Sequence, residues 1–287
     1  MKGWLIYNRQ AAKENASYIA WFKKEANLQQ INLQVIYRES LTIGIEKGNH
    51  ILFVNGRKAK IPDFAIVRII EPTLQFYLEA CNVATFNSSH VSHICNHKAL
   101  THLEVNKLNI PMVPTYFFSV DNLPEVLPLH YPFIMKEATG RSGKQVYFIN
   151  NEQEWNRALT SITTKDFLIQ SADVMLGKDL RVFVIGKEII SAVLRMNQDD
   201  FRANYSLGGK ALLYHLSETE IKMIQKIVNH FDFGLVGIDF LIGKNNELLF
   251  NEIEDVVGSR ILSEVSEINL LEKYITQIKK TLVKVQV

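Results

Sequence analysis

The chain has 287 residues, 47% of them hydrophobic and 22% charged, with a formal net charge of +2. That is the composition of an ordinary soluble protein, long enough for two or three compact lobes, and the charge is too small to imply a nucleic-acid partner. No stretch approaches the roughly 18–20 apolar residues of a membrane span, and Met1 to Asn8 lacks the long apolar core of a secretory signal.

A cytoplasmic protein is therefore expected. Cys81 and Cys95 are its only cysteines, too few for a disulfide framework, and both should sit reduced on helices.

Leu5 to Tyr7 and Leu33 to Tyr37 read as strands flanking a helix from about Glu14 to Gln30. Within it Tyr18, Phe22 and Ala26 recur at helical spacing and should face a sheet. Ile51 to Val54 and Arg57 to Ile61 bracket Asn55-Gly56, a hairpin signal. Phe64 to Ile69 resembles a buried parallel strand, and Glu71-Pro72 leads from it into a helix near Thr73 to Cys81. Residues 1–86 thus read as a small strand–helix domain.

A long polar helix is expected from about Ser89 to Lys107, stopped by Asn109-Ile110-Pro111. His90, His93, His97 and His102 crowd it. His93 and His97 have the i,i+4 spacing of a metal pair, but no second ligand cluster is recognisable nearby, and a solvated helix face is the simpler reading. Phe133 to Ala138, then Thr139-Gly140-Arg141-Ser142-Gly143-Lys144, then Gln145 to Ile149 read as strand, glycine loop and strand. A helix near Glu152 to Ile162 and a strand from Phe167 to Gln170 complete a unit spanning residues 87–173.

Residues 174–287 form the last unit. Asp179 to Gly186 and Glu188 to Arg195 make a hairpin around Gly186-Lys187. Ser217 to Glu220 is a capping box, opening a helix with Ile221, Ile224, Ile227, Val228 and Phe231 on one face. Gly237 to Ile242 and Leu248 to Glu254 are strands joined at Gly243 to Asn246, and a helix near Glu264 to Leu282 closes the chain. The fold class is α/β and α+β.

The last two strands carry the strongest chemical signal. Asp239 interrupts one, while Glu252 and Glu254, two apart, share a face of the other. Three converging carboxylates repel unless neutralised, as by a hard divalent cation such as magnesium. The alternative is a solvated face paired with Arg260 or nearby lysines. Cations form the second signal: Lys98, Lys136 inside an apolar strand, Arg181 and Arg195 in the hairpin, and Arg202. Lys136 is either a strand-edge lysine reaching solvent or, three residues before the glycine loop, part of a phosphate cradle. The loop matches neither Gly-x-x-x-x-Gly-Lys-Ser/Thr nor Gly-x-Gly-x-x-Gly.

In order, Lys98, Lys136 with its loop, Asp179-Leu180-Arg181, Phe201-Arg202-Ala203-Asn204, Gly237-Ile238-Asp239 and Glu252/Glu254 resemble the ATP-grasp superfamily, specifically its RimK-type amino-acid ligases. The resemblance runs from about Asp63 to Arg260 and includes Ala65 to Ile69, Asn87-Ser88, Ile110-Pro111 and Pro114-Thr115. It implies an ATP-grasp fold in which the small first domain precedes two α+β lobes that clamp ATP.

It also implies a carboxylate–amine ligase that forms an amide through an acyl-phosphate and releases ADP and phosphate. Lys98 and Lys136 would contact the nucleotide, and Gly140, Ser142 and Gly143 would close over its phosphates. Gln170, Ser171 and Ala172 would receive adenine, and Asp179 would hold the ribose. Asp239, Glu252 and Glu254 would hold magnesium, with manganese as the alternative ion. Arg202, Asn204 and Arg181 would serve the transferring phosphoryl group or the carboxylate. Partners would be ATP, a carboxylate and an amine acceptor (amino acid, peptide or protein terminus), without nucleic acid or membrane, and with room for a homo-oligomer.

Three positions depart from the family pattern. Glu254 stands where Asn is usual, Asp255 to Arg260 replaces a Ser-Pro-Gly segment, and Ser171 replaces a frequent hinge Glu. Arg260 could clamp a carboxylate or pair with Asp255. An ATP-grasp kinase and a catalytically reduced nucleotide-binding protein are the alternative functions.

Overall fold

The computed structural model describes residues 1–140, 145–203 and 209–285. Its first sheet is parallel, with strands ordered Asn32–Tyr37, Lys2–Tyr7, Phe64–Val67 and Ala84–Phe86. Parallel strands need helical crossovers that bury both faces, which explains the uninterrupted apolar runs. Leu5, Ile6, Phe64 and Ala65 are completely shielded. The chain runs from the second strand in this order to the first, then back to the third. The carboxyl ends of Lys2–Tyr7 and Phe64–Val67 therefore flank a topological switch point, where Tyr7 ends one strand and Arg68 follows the other.

The expected first helix divides in two, Arg9–Glu14 and Ala16–Leu28, with Asn15 ending one and opening the other. Asn8 caps the first, its side chain accepting from the Ala11 amide at 2.6 Å. The Asn55-Gly56 hairpin forms with Val54 opposite Arg57, and both turn residues take the positive φ that the tight turn demands. A third strand, Leu41–Glu46, joins it. Its solvent-facing residues and Gly44 hid it from the apolar pattern.

The long polar helix also breaks, into Ser89–Cys95 and Lys98–Asn106. His97 lies at the break and caps the second piece by accepting from the Leu100 amide. His93 and His97 are therefore not one turn apart on a common helix. Cys95 is buried at the end of its helix and Cys81 is half-buried just after another.

The second sheet is antiparallel, in the order Val146–Ile149, Phe133–Glu137, Asp166–Ser171 and Thr115–Ser119. Phe133, Met135, Phe167 and Ile169 pack against Trp155 of the Glu152–Ser161 helix. Strand alternation then sends Ile134, Lys136, Leu168 and Gln170 to the opposite face.

The third sheet has five antiparallel strands: Lys210–Tyr214, Glu188–Met196, Lys178–Ile185, Leu235–Ile242 and Leu248–Glu254. One face packs on Ile224, Ile227 and Val228 of the Glu218–His230 helix, whose Ser217/Glu220 capping box forms as expected. Phe183 and Ile185 instead share a core with Phe22, Leu5, Tyr274 and Ile278, so the first sheet and the third are packed into one apolar mass. The closing helix is two segments, Arg260–Val265 and Leu270–Val285.

Asn87 clasps these parts together. Its buried amide donates to the Leu235 carbonyl at 2.9 Å and to Asp255 at 2.5 and 3.0 Å. Its oxygen accepts from the Gly234 and Leu235 amides at 2.5 and 3.0 Å. Asn87→Ala should strand several of these groups without water and cost about 3 kcal/mol. Calorimetry should show the melting temperature fall by about 6–12 °C.

Candidate active site

Asp239 lies directly opposite Glu252 in the terminal hairpin, and Gly237 opposite Glu254. Between these pairs and the rest of the ladder the register slips, so that Phe240 meets Phe250 and Asn251 is the extra residue. Such a bulge re-aims side chains. Asn251 and Glu252, consecutive in sequence, consequently both reach the same cleft. The Lys136 ammonium donates to the Asn251 side-chain oxygen at 2.8 Å from across it.

The cleft opens between the second and third sheets. Lys98, Lys136, Gly140, Gln170 and Ser171 line one side, and Asp179, Arg195, Arg202, Asn251 and Glu252 the other. Ile134, Val146, Met175, Leu176 and Leu241 add an apolar wall. A second cavity of about 660 Å³ adjoins it, sharing Arg195 and Glu252. Arg68, Tyr18 and Trp21 line that cavity from the first sheet's switch point, with Arg181, Glu254 and Arg260 from the other side.

Beneath the junction lies a chain of ion pairs set by sheet register. Arg181 is cross-strand from Asp239, and Asp179 from Arg195. Arg181 donates to both Asp239 oxygens at 2.7 and 2.8 Å and reaches Glu254 at 2.5 Å. Arg195 donates to both Asp179 oxygens at 2.5 and 2.7 Å and also to Asp239 at 2.8 Å. Lys98 meets Glu252 at 3.2 Å and the Gly140 carbonyl at 2.5 Å.

Burial alone would raise the Asp239 carboxyl, but the two guanidiniums outweigh it and hold it at about 2. Glu252 is likewise pulled down against burial, chiefly by Lys98. Lys136 is pushed down to about 8 by burial, with the Lys98 charge adding to the effect and Glu252 opposing it.

Several expectations need correction. The three acidic residues of the hairpin do not form a bare carboxylate cluster, because arginine and lysine already neutralise them. Among the described residues no group of three or more His, Cys, Asp or Glu is placed to hold a metal ion. Asp239 is buried under the site rather than lining it. Asp179 lines the cleft, and both of its oxygens accept from Arg195, so it positions that arginine.

Arg181 and Glu254 face the second cavity instead of the cleft, and Ala172 lies just past the lining, its carbonyl accepting from Val174. Arg202 lines the cleft and is held by Asp200 at 2.6 Å. Asp255 is bound by Asn87 and Asn96 rather than Arg260. Ser142, Gly143 and Asn204 lie outside the described residues.

Asn251, Lys178, the apolar wall and the switch-point set Arg68, Tyr18 and Trp21 were given no place in the site by the sequence. A polar Asn251 beside Glu252 in an apolar strand was the one usable signal; the others need the tertiary fold to meet.

The residues fit a ligand with a flat apolar part and an anionic tail. The wall and the buried Gln170 amide, whose oxygen has no partner among the described residues, suit the first; Lys98, Lys136, Lys178, Arg195 and Arg202 suit the second. The acidic donors are hard oxygens, appropriate to a divalent cation bound together with phosphates.

Residues 96–278 match the model of the RimK-like ATP-grasp domain. The chain is 27% identical over 232 residues to the glutamate–LysW ligase ArgX of Sulfurisphaera tokodaii, covering 76% of this chain and 82% of that one. It is 23% identical to human N-acetylaspartylglutamate synthase A, over 89% and 70% of the two chains. The VanG D-Ala:D-Ser ligase of Enterococcus faecalis superposes with a TM-score of 0.75 at 16% identity, covering 98% of this chain and 99% of that one.

The Lys136 shift has a testable sign. Burial disfavours its charged form, so in the free protein the cation is present below pH of about 8 and lost above it. Calorimetric titration with pyrophosphate should show affinity falling by up to about tenfold per pH unit above that point. Lys136→Met should bind weakly throughout and lose that step.

Proposed function

The chain belongs to the RimK-like ATP-grasp family, and from that premise we propose that it is an ATP- and magnesium-dependent ligase joining a carboxylate to an amine through an acyl-phosphate. One observation carries the reading: a cation-lined cleft with an apolar wall meets a second, larger cavity at Arg195 and Glu252. A nucleotide in the first would place its phosphate tail at the mouth of the second.

In this reading Lys98, Lys136 and Gly140 hold the phosphates, while Gln170 and Ser171, with Ala172 beside them, receive adenine. Arg195 and Arg202 neutralise charge where one anion must approach another. Asp179 and Asp239 hold Arg195 in place from behind, so the arginine is positioned before substrate arrives. Glu252, the acid of that hairpin that lines the cleft, would hold magnesium together with the nucleotide's phosphates, and the ion would supply further charge neutralisation there when bound.

A carboxylate oxygen of the first substrate attacks the γ-phosphorus, and the bond to the β,γ-bridging oxygen breaks to release ADP. The amine nitrogen then attacks the acyl carbon, phosphate leaves with the C–O bonding pair, and the nitrogen loses a proton. No side-chain nucleophile is required.

Both organic substrates belong in the second cavity, between the switch point and the terminal hairpin. Its arginines Arg68 and Arg260 suit acids, and Glu254 and Glu264 suit an ammonium group before it loses its proton. An amino acid, peptide or protein terminus as acceptor agrees with the relatives, which by name ligate glutamate with LysW and synthesise N-acetylaspartylglutamate.

Screening paired carboxylates and amines for ADP release, with mass spectrometry of products, should find a pair that yields an amide. A phosphorylated acid accumulating as product with no amine requirement would instead mark a kinase. Lys136→Ala and Glu252→Gln should each reduce turnover by at least about a thousandfold while circular dichroism stays unchanged.

A further inference from the structure

Behind the cleft runs a chain of polar groups whose hydrogens can be placed by elimination. The Lys98 carbonyl can only accept, so His102 Nδ1, 2.8 Å away, must carry a proton. His102 is buried, with ring contacts to Phe117 and Phe250, and burial pushes it down to about 4; it is neutral at pH 7, and its Nε2 is a bare acceptor. The Gln170 nitrogen lies 3.1 Å from that Nε2 and 3.0 Å from the Thr115 hydroxyl oxygen. Thr115 in turn donates its own hydrogen to the Val113 carbonyl at 2.9 Å.

Two acceptors thus demand the NH₂ end of the Gln170 amide, and each takes one of its hydrogens. Only one orientation of the amide satisfies both. Its oxygen is turned away from them, buried and without a hydrogen-bond partner among the described residues, in a residue that lines the cleft. An unmet buried acceptor is destabilising, which a ligand N–H can relieve.

We propose that His102 is a positioning residue: together with Thr115 it locks the Gln170 amide so that the oxygen awaits the exocyclic amino group of the bound base. A 6-amino purine satisfies that oxygen, whereas a 6-oxo purine sets a second acceptor against it. Selection of ATP over its inosine counterpart is therefore written into a histidine tautomer. This rests on the nucleotide reading above.

Calorimetric titration of ATP and ITP against wild type, His102→Leu, Thr115→Val and Gln170→Leu tests it. Wild type should prefer ATP by about tenfold or more. His102→Leu and Gln170→Leu should bring the two nucleotides within about threefold of each other through weaker ATP binding, while Thr115→Val, which leaves His102 Nε2 to hold the amide, should narrow the preference less. Gln170→Leu, which keeps the histidine ring in place and is close in size, answers the question where His102→Leu fails to fold.

Long-range ¹H–¹⁵N spectra should show His102 neutral and protonated on Nδ1 at pH 7, a signature that a merely space-filling ring would not require. Equal binding of ATP and ITP by wild type, a preference that survives in Gln170→Leu, or an Nε2–H tautomer would each overturn the proposal. Failure of wild type to bind ATP at all would remove the nucleotide reading on which it stands.

Discussion

A carboxylate buried in the middle of an apolar sheet has to be neutralised, and Asp239 is neutralised by two arginines at once. Without the two guanidiniums the charge would be stranded beside Ile238 and Phe240, both fully shielded. The site is built outward from this constraint. Sheet register puts Arg181 and Arg195 on neighbouring strands, and each then reaches one further acid, Glu254 or Asp179. Ion pairs of this kind seldom outperform a hydrophobic replacement in stability. What they provide is direction: Arg195 is fixed between two cavities, with no reorganisation left to make when an anion arrives.

Across the cleft the same logic runs with the opposite emphasis. Lys136 is a cation in a nearly closed setting, and its partner is the neutral Asn251 rather than a carboxylate. Its charge is undercompensated, which is why burial depresses its titration, and an incoming phosphate would restore the balance. Lys98 is the more firmly paired, tying Glu252 to the Gly140 carbonyl. Acids and bases thus alternate along the line from the cleft to the second cavity. That is the pattern needed to bring an anionic tail, a carboxylate and an amine together.

The alternating strands, the capping box, the Asn55-Gly56 hairpin and the terminal hairpin were legible in the sequence because each carries its signal locally. The ordered set of charged residues also conveyed the fold family. The breaks at Asn15, His97 and Ser266 to Asn269 were not legible, since caps in mid-segment resemble ordinary polar residues. Leu41–Glu46 and Lys210–Tyr214 were missed because half-exposed strands lack an apolar run. The three acids were visible as a group, but that arginines already satisfied them depends on cross-strand register that no spacing reveals. Asn251 needed the bulge, and Arg68 needed the sheet order.

The central claim is that Glu252 of the last hairpin and the lysines opposite it meet one triphosphate tail through a divalent cation. Titrating ATP into the protein with magnesium and again in EDTA, for wild type and Glu252→Asn, addresses it directly. Magnesium should tighten wild-type binding by about tenfold or more, and most of that gain should vanish in the variant. Identical ATP affinity with and without the cation would contradict the account.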